Sequence, residues 1–253
     1  MFFKDRKIVK DLIVRAGRGE AEAEFELAKR YWSGKGVKSD IKKALELFED
    51  AAKHGSVPAQ SELGDIYYNG VMDVYGDGNG IERDYTKAAY WFEKAVENGA
   101  EITDDLCLQL GEVYRWGEYG IKEDPQKSVF WYSKLAEKGD LQAMGKLAGC
   151  YFELEDKENA LLWQNKAAAG GNPDEMCSLG AMYHDFGELD NALIWYKKAA
   201  EKNDSFALCA LGEMYLNGEG VEKDLKKAEE YLRKSAALGD EDAKKLLEEN
   251  FKG

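Results

Sequence analysis

Six copies of the pattern L-[GA]-x-x-Y run along this chain, and no other feature limits its folding as much. They are Leu27-Ala28…Tyr31, Leu63-Gly64…Tyr67, Leu110-Gly111…Tyr114, Leu147-Ala148…Tyr151, Leu179-Gly180…Tyr183 and Leu211-Gly212…Tyr215, with leucines 36, 47, 37, 32 and 32 residues apart. Each copy is followed by A-x-x-[WFLY]-x-x-x-[ALS]-[AV]-x-x-[GN], with Ser128 in place of the first alanine in the third. Self-similarity at such a period belongs to a stacked array whose units each contact only their neighbours, not to one globular core.

The first unit shows the physics. Ala23, Leu27, Ala28 and Tyr31 share one face at helical spacing, which predicts a helix, A. Gly34-Lys35-Gly36-Val37 stops it, because glycine takes the positive φ of a helix C-terminus. Asp40 stands at the N-cap of a second helix, B, with Ala44, Leu47, Phe48, Ala51 and Ala52 on one face and Gly55 at its end. Ala28, Gly64, Gly111, Ala148, Gly180 and Gly212 repeat a small residue in helix A, and Ala44, Ala88, Ser128, Ala160, Ala192 and Ala228 do so in helix B. Small side chains let two helices approach closely. Phe48, Trp91, Trp131, Trp163, Trp195 and Tyr231 are expected to fill the space around the crossing. Residues 5–18 read as a lone helix B and 241–251 as a lone, polar helix A.

The pattern A-x-x-x-L-G-x-x-Y-x-x-G-x-G-V-x-x-D-x-x-K-A resembles the Sel-one-like repeat (SLR), a relative of the tetratricopeptide repeat. It is clearest in the first unit and in the sixth, Ala207…Leu211-Gly212…Tyr215…Gly218-Glu219-Gly220-Val221…Asp224…Lys227-Ala228. The third unit carries one extra residue in its turn. The fourth and fifth lack the G-x-G-V turn, and the second has a longer one, 71–79. The resemblance implies an all-α fold: a right-handed α-solenoid of about six helix-hairpin repeats with a capping helix at each end. We expect one domain over 1–253, with an N-terminal helix in 1–19, repeats at 20–55, 56–99, 100–139, 140–171, 172–203 and 204–239, and a C-terminal cap in 240–253.

It also implies that helix A lines a concave face. The residue after each motif tyrosine then forms a stripe: Trp32, Tyr68, Arg115 with Trp116 beside it, Phe152, His184 and Leu216. Lys29, Asp65 and Glu112 stand one turn before it. Phe25, Ser61, Leu108, Gly145, Cys177 and Cys209 lie two turns before it. Two readings compete, a ladder of anchors for a partner or packing between adjacent A helices. Trp, Tyr and Arg dominate binding hot spots, so a protein- or peptide-binding role is expected for Trp32, Tyr68, Arg115, Trp116, Phe152, His184, Lys29, Asp65 and Glu112.

Chemistry leaves little trace. The two histidines, His54 and His184, have no partnered nucleophile in sequence. The four cysteines form no C-x-x-C pair, so no zinc site is expected, and thiols point to a reducing cytosol. Asp73, Asp77 and Asn79 could offer oxygens to calcium, but Tyr75 breaks the EF-hand spacing and Asp84 stands where its closing Glu belongs. No catalytic residue, cofactor or metal is expected.

The formal net charge is −14, from 35 basic and 49 acidic residues, which disfavours nucleic acid and anionic membranes. No apolar run spans a bilayer. The expectation is a monomeric cytoplasmic scaffold or adaptor without enzymatic activity. One alternative is an acidic immunity-type inhibitor of a toxin or effector. Another comes from family members that are secreted, carry paired cysteines and bind or hydrolyse β-lactams; that cysteine pattern is absent here.

Overall fold

The computed structural model describes residues 2–72 and 80–251, with side chains from Asp5 onward. The turn residues Asp73, Asp77 and Asn79 lie outside the described residues. Every named element is a helix. A lone α1 (Phe2–Ala16) is followed by A/B pairs: α2 (Ala21–Ser33) with α3 (Ile41–Lys53), and α4 (Val57–Asn69) with α5 (Tyr85–Glu97). Then come α6 (Asp104–Trp116) and α7 (Pro125–Ala136), α8 (Leu141–Glu153) and α9 (Lys157–Ala169), α10 (Pro173–Asp185) and α11 (Leu189–Ala200), α12 (Ser205–Asn217) and α13 (Leu225–Ala237). A lone α14 (Glu241–Asn250) closes the series. The chain divides into two compact units, Met1–Glu123 and Asp124–Gly253. Each is an α-solenoid segment in which successive helices pack on one another, α1 through α5 in the first and α7 through α14 in the second.

Helix starts are set by side chains that satisfy otherwise unpaired amides. Asp40, Asp84, Asp124, Asp140, Asp156, Asp204, Asp224 and Asp240 each accept a backbone N–H two or three residues on. A carboxylate there also meets the positive end of the helix dipole. Part of the acidic excess is therefore capping. Gly34 takes φ 71° at the end of α2, as the turn pattern requires.

In the first, second, fourth, fifth and sixth repeats the turn that joins A to B is closed the same way whatever its length. Asp40 N donates to Tyr31 O at 3.0 Å, Asp84 N to Tyr67 O at 2.9 Å, Asp156 N to Tyr151 O at 2.9 Å, Glu188 N to Tyr183 O at 2.8 Å and Asp224 N to Tyr215 O at 3.0 Å. In the long second turn, Val71 and Ile81 also pair as an isolated antiparallel bridge. The lysine of D-x-x-K lies over the motif tyrosine: Lys43 Nζ is 4.8 Å from the Tyr31 ring centre, Lys87 4.8 Å from Tyr67 and Lys227 5.0 Å from Tyr215. Cation–π contact thus ties helix B back onto helix A.

The small residues of both helices are buried, as their spacing predicts. The large residues need a correction in register. The side chain that fills the crossing stands four positions after the small helix-B residue: Phe48, Phe92, Tyr132, Gln164, Tyr196 and Leu232, all buried. Trp91, Trp163, Trp195 and Tyr231, one position earlier, are only half-buried, whereas Trp131 at that same position is fully buried. Lys166 lies 3.8 Å from the Trp163 ring centre and Lys198 3.6 Å from Trp195, so these indoles form an outer layer sheathed by lysine stems. A Cβ on Gly64 would stand 2.5 Å from the Phe92 ring, one on Gly180 2.7 Å from Tyr196, and one on Gly212 2.6 Å from Leu232. Each glycine is the socket for the ring or branch opposite it.

Successive repeats are joined by polar links. Tyr67 Oη donates to Glu49 Oε1 at 2.8 Å and Tyr114 Oη to Glu93 Oε1 at 2.6 Å, in each case from helix A to the preceding helix B. Asn165 Nδ2 donates to Tyr183 Oη at 3.4 Å from the equivalent helix-B position. Within the first repeat Glu24, 4% exposed, meets His54 Nδ1 at 2.7 Å. In the second, Asn98 Nδ2 donates to Gln60 Oε1 at 3.1 Å from the same two places. His54 thus has a structural partner at the end of helix B.

Candidate interaction surface

In the first compact unit, Trp32 is half-buried and sits edge-on to Phe48 at 6.1 Å between ring centres. Lys29 is exposed, lies 5.1 Å from the Phe25 ring centre and pairs with Glu26 at 3.1 Å. Asp65 is exposed by area, yet partial desolvation raises its carboxyl above the usual range. Glu62 is raised as well, first by burial and then by Asp65, while Lys29 pulls it down.

Around α6 the predicted residues come together. Trp116 is 60% exposed, its Nε1 donates to Glu112 Oε2 at 2.9 Å, and the Arg115 guanidinium lies 4.9 Å from its ring centre. A large aromatic is held in solvent by its own neighbours. Tyr68 is half-buried; its hydroxyl donates to Gln109 Oε1, and its ring meets Tyr85 edge-on at 5.5 Å. Tyr85 in turn meets Tyr119 at 4.9 Å.

These rings line a cleft of about 340 Å³ with Glu112 and Glu118 on its wall and Leu110, Val113 and Ile121 beneath. The stripe pattern supplied Tyr68 and Glu112. It missed Tyr85, Glu118 and Tyr119. One signal was available: Tyr119 is in the third turn, Gly117-Glu118-Tyr119-Gly120, which is one residue longer than Gly34-Lys35-Gly36.

In the second compact unit, Phe152 is half-buried and packs at 5.5 Å against Phe186, whose ring lies 4.8 Å from Lys157 Nζ. His184 is half-buried, with Nε2 3.3 Å from Glu219 Oε1 and Nδ1 3.9 Å from Asp185 Oδ1. Leu216 is buried and belongs to the packing. Cys177 is pushed up by burial and then by Asp204, and burial pushes Cys209 up to about 12. Both shifts favour the protonated thiol, the less nucleophilic form. Among the described residues, no three His, Cys, Asp or Glu side chains gather as metal ligands, and no helix is long and apolar enough to cross a membrane.

Repeated helix hairpins, closed inside by a small residue set against a large one and in several cases linked to a neighbouring repeat through the motif tyrosine, define an α-helical repeat protein of the tetratricopeptide-like class. The family model for the Sel1 repeat matches residues 21–56, 57–99, 105–140, 176–204 and 205–240, and the chain belongs to that family. The unmatched stretch includes the fourth unit, whose short turn departs from the pattern.

Among solved structures, c5321, a protective antigen present in uropathogenic Escherichia coli strains and displaying an SLR fold, is 30% identical at a TM-score of 0.50. The match covers 97% of this chain and 52% of c5321, so the chain spans about half that protein's length. A Sel1 repeat protein from Oxalobacter formigenes is 26% identical at a TM-score of 0.44, over 95% of this chain and 79% of that one. MamA is 22% identical at a TM-score of 0.50, over 64% of this chain and 92% of that one. No curated protein matches the chain.

Proposed function

We propose that this chain is a non-enzymatic scaffold that holds a partner protein or peptide against the helix-A side of its repeats. The observation that carries the reading is Trp116, exposed yet fixed by the bond to Glu112 and by the Arg115 guanidinium over its ring. Packing does not require an indole there. A pre-ordered aromatic beside an arginine is the usual centre of a protein-binding hot spot, because little side-chain freedom is lost on contact. Trp32, Lys29 and Asp65 extend the surface in the first compact unit, and Phe152 and His184 form a second contact region in the other. The acidic charge of −14 favours a basic partner. The four cysteines stand as thiols within helices, which supports a cytoplasmic setting, and we read the chain as a monomer.

The test is affinity capture with the purified chain beside two variants, Trp32→Ala/Trp116→Ala and Phe152→Ala. Loss of a specific partner by one variant is expected. Equal recovery of every captured protein by wild type and both variants would remove the reading.

A further inference from the structure

The tyrosine cleft of the first compact unit offers more than a general protein contact, and the role assigned to it rests on the scaffold reading. Its most telling member is Tyr119. The residue sits at φ 54°, in the left-handed region that disfavours a bulky side chain. It is also 64% exposed, so its ring contributes little buried area in return. The first and sixth repeats make the same turn as Gly34-Lys35-Gly36 and Gly218-Glu219-Gly220, one residue shorter. Neither folding nor stacking of the repeat calls for this insertion. Residues that break a local rule without a packing reason mark functional positions.

The surroundings specify a ligand chemistry. Tyr68, Tyr85 and Tyr119 line one concavity, with ring planes 84° and 42° apart in successive pairs. The bond from Tyr68 to Gln109 fixes the first ring before any ligand arrives. Glu112 and Glu118 stand on the same wall, and no lysine or arginine is among the lining residues. Aromatic faces beside carboxylates attract a cation with some apolar body. The volume, about 340 Å³, suits the end of one long side chain rather than a folded element.

We propose that this cleft seats an arginine side chain of the partner, its guanidinium plane against Tyr85 and Tyr119 and its N–H groups donating to Glu112 and Glu118. Arginine is favoured over lysine because its flat, weakly hydrated head stacks on rings and presents several donors to carboxylates at once. The negative charge of the chain draws such a group in.

The experiment is an NMR titration of the full chain, following tyrosine ring signals, with N-acetyl-arginine methylamide as the probe. N-acetyl-citrulline methylamide has the same shape without the charge, and N-acetyl-lysine methylamide has the charge without the plane. The arginine compound should shift the rings of Tyr68, Tyr85 and Tyr119 together on one saturable curve. Citrulline should bind about tenfold more weakly because it lacks the charge for a cation–π contact, and lysine about tenfold more weakly because it lacks the flat, multi-donor head. Glu118→Gln and Tyr119→Asn should each weaken arginine about tenfold while other signals hold still; asparagine is chosen because it tolerates positive φ.

Equal binding of citrulline or lysine, unmoved rings, or undiminished affinity in Tyr119→Asn would each overturn the assignment. If the rings stay still while Trp32→Ala/Trp116→Ala still loses its partner, the arginine seat fails and the scaffold reading stands. If arginine binds but no variant alters capture, the reverse holds.

Discussion

Tyr67 of one repeat donates its hydroxyl to Glu49 of the repeat before it, at 2.8 Å. The same offset recurs with Tyr114 and Glu93 at 2.6 Å. Tyr67 and Tyr114 are therefore bolts between repeats as well as core residues, a duty that phenylalanine could not carry.

Tyr67→Phe removes the bolt and keeps the ring. A hydrogen bond to a charged acceptor contributes about 1.5–3 kcal/mol, and partial exposure of Glu49 brings the expected loss to about 1 kcal/mol by urea denaturation. Burial first, then Glu49, raises the Tyr67 hydroxyl above the ordinary tyrosine range. The protonated phenol is the form the fold favours. Its stabilisation is thus fully present below about pH 10 and is lost as pH rises beyond that. Tyr67→Phe should blunt the alkaline loss of stability; an unchanged alkaline profile would remove this role.

Gly64→Ala sets two effects against each other. Alanine favours helix over glycine by about 1 kcal/mol. The new Cβ would meet the Phe92 ring at 2.5 Å, and overpacking of this kind costs about 1–3 kcal/mol. At 2.5 Å the clash outweighs the gain, with a net loss of up to about 2 kcal/mol in chemical denaturation. Gly64→Ala/Phe92→Leu should recover part of it, and a more stable single variant would contradict the socket.

The Glu24–His54 and Gln60–Asn98 contacts occupy equivalent places in neighbouring repeats. Either Glu24→Gln or His54→Asn alone leaves a mismatched partner on a buried acid or amide and should destabilise by about 1–3 kcal/mol. The double change transplants the second repeat's pair into the first. Its loss should be smaller than the sum of the singles, and a thermodynamic cycle showing strict additivity would separate the two residues.

Glu155, exposed, takes φ 59° in the short turn of the fourth repeat. Glu155→Asn should stabilise by roughly 0.5–1 kcal/mol, since asparagine accepts that region more readily. A melting temperature that falls would show that the glutamate side chain has another duty.

Local chemistry made much of this fold legible. Asp40 announced a helix start, and the small residues at Ala28, Gly64 and Gly212 announced close crossings. The fault lay between Trp91 and Phe92. Positions three and four after Ala88 lie on neighbouring sides of a helix, so size alone pointed to the indole. Only the packed neighbour, Gly64, shows that Phe92 enters the crossing while Trp91 remains half outside. The cleft was legible in halves. Tyr68 and Glu112 are reached by helical spacing, whereas Tyr85 opens a different helix and Tyr119 belongs to a turn. Their convergence is a product of chain closure that no local pattern encodes.

The bond between a cap amide and the motif tyrosine's carbonyl forms with four residues between the partners at Tyr151 and Asp156, eight at Tyr31 and Asp40, and sixteen at Tyr67 and Asp84. The chain thus possesses splice sites at which segments can be lengthened or exchanged without disturbing the stack. Diversification of such a molecule can proceed by grafting at these junctions, one repeat at a time.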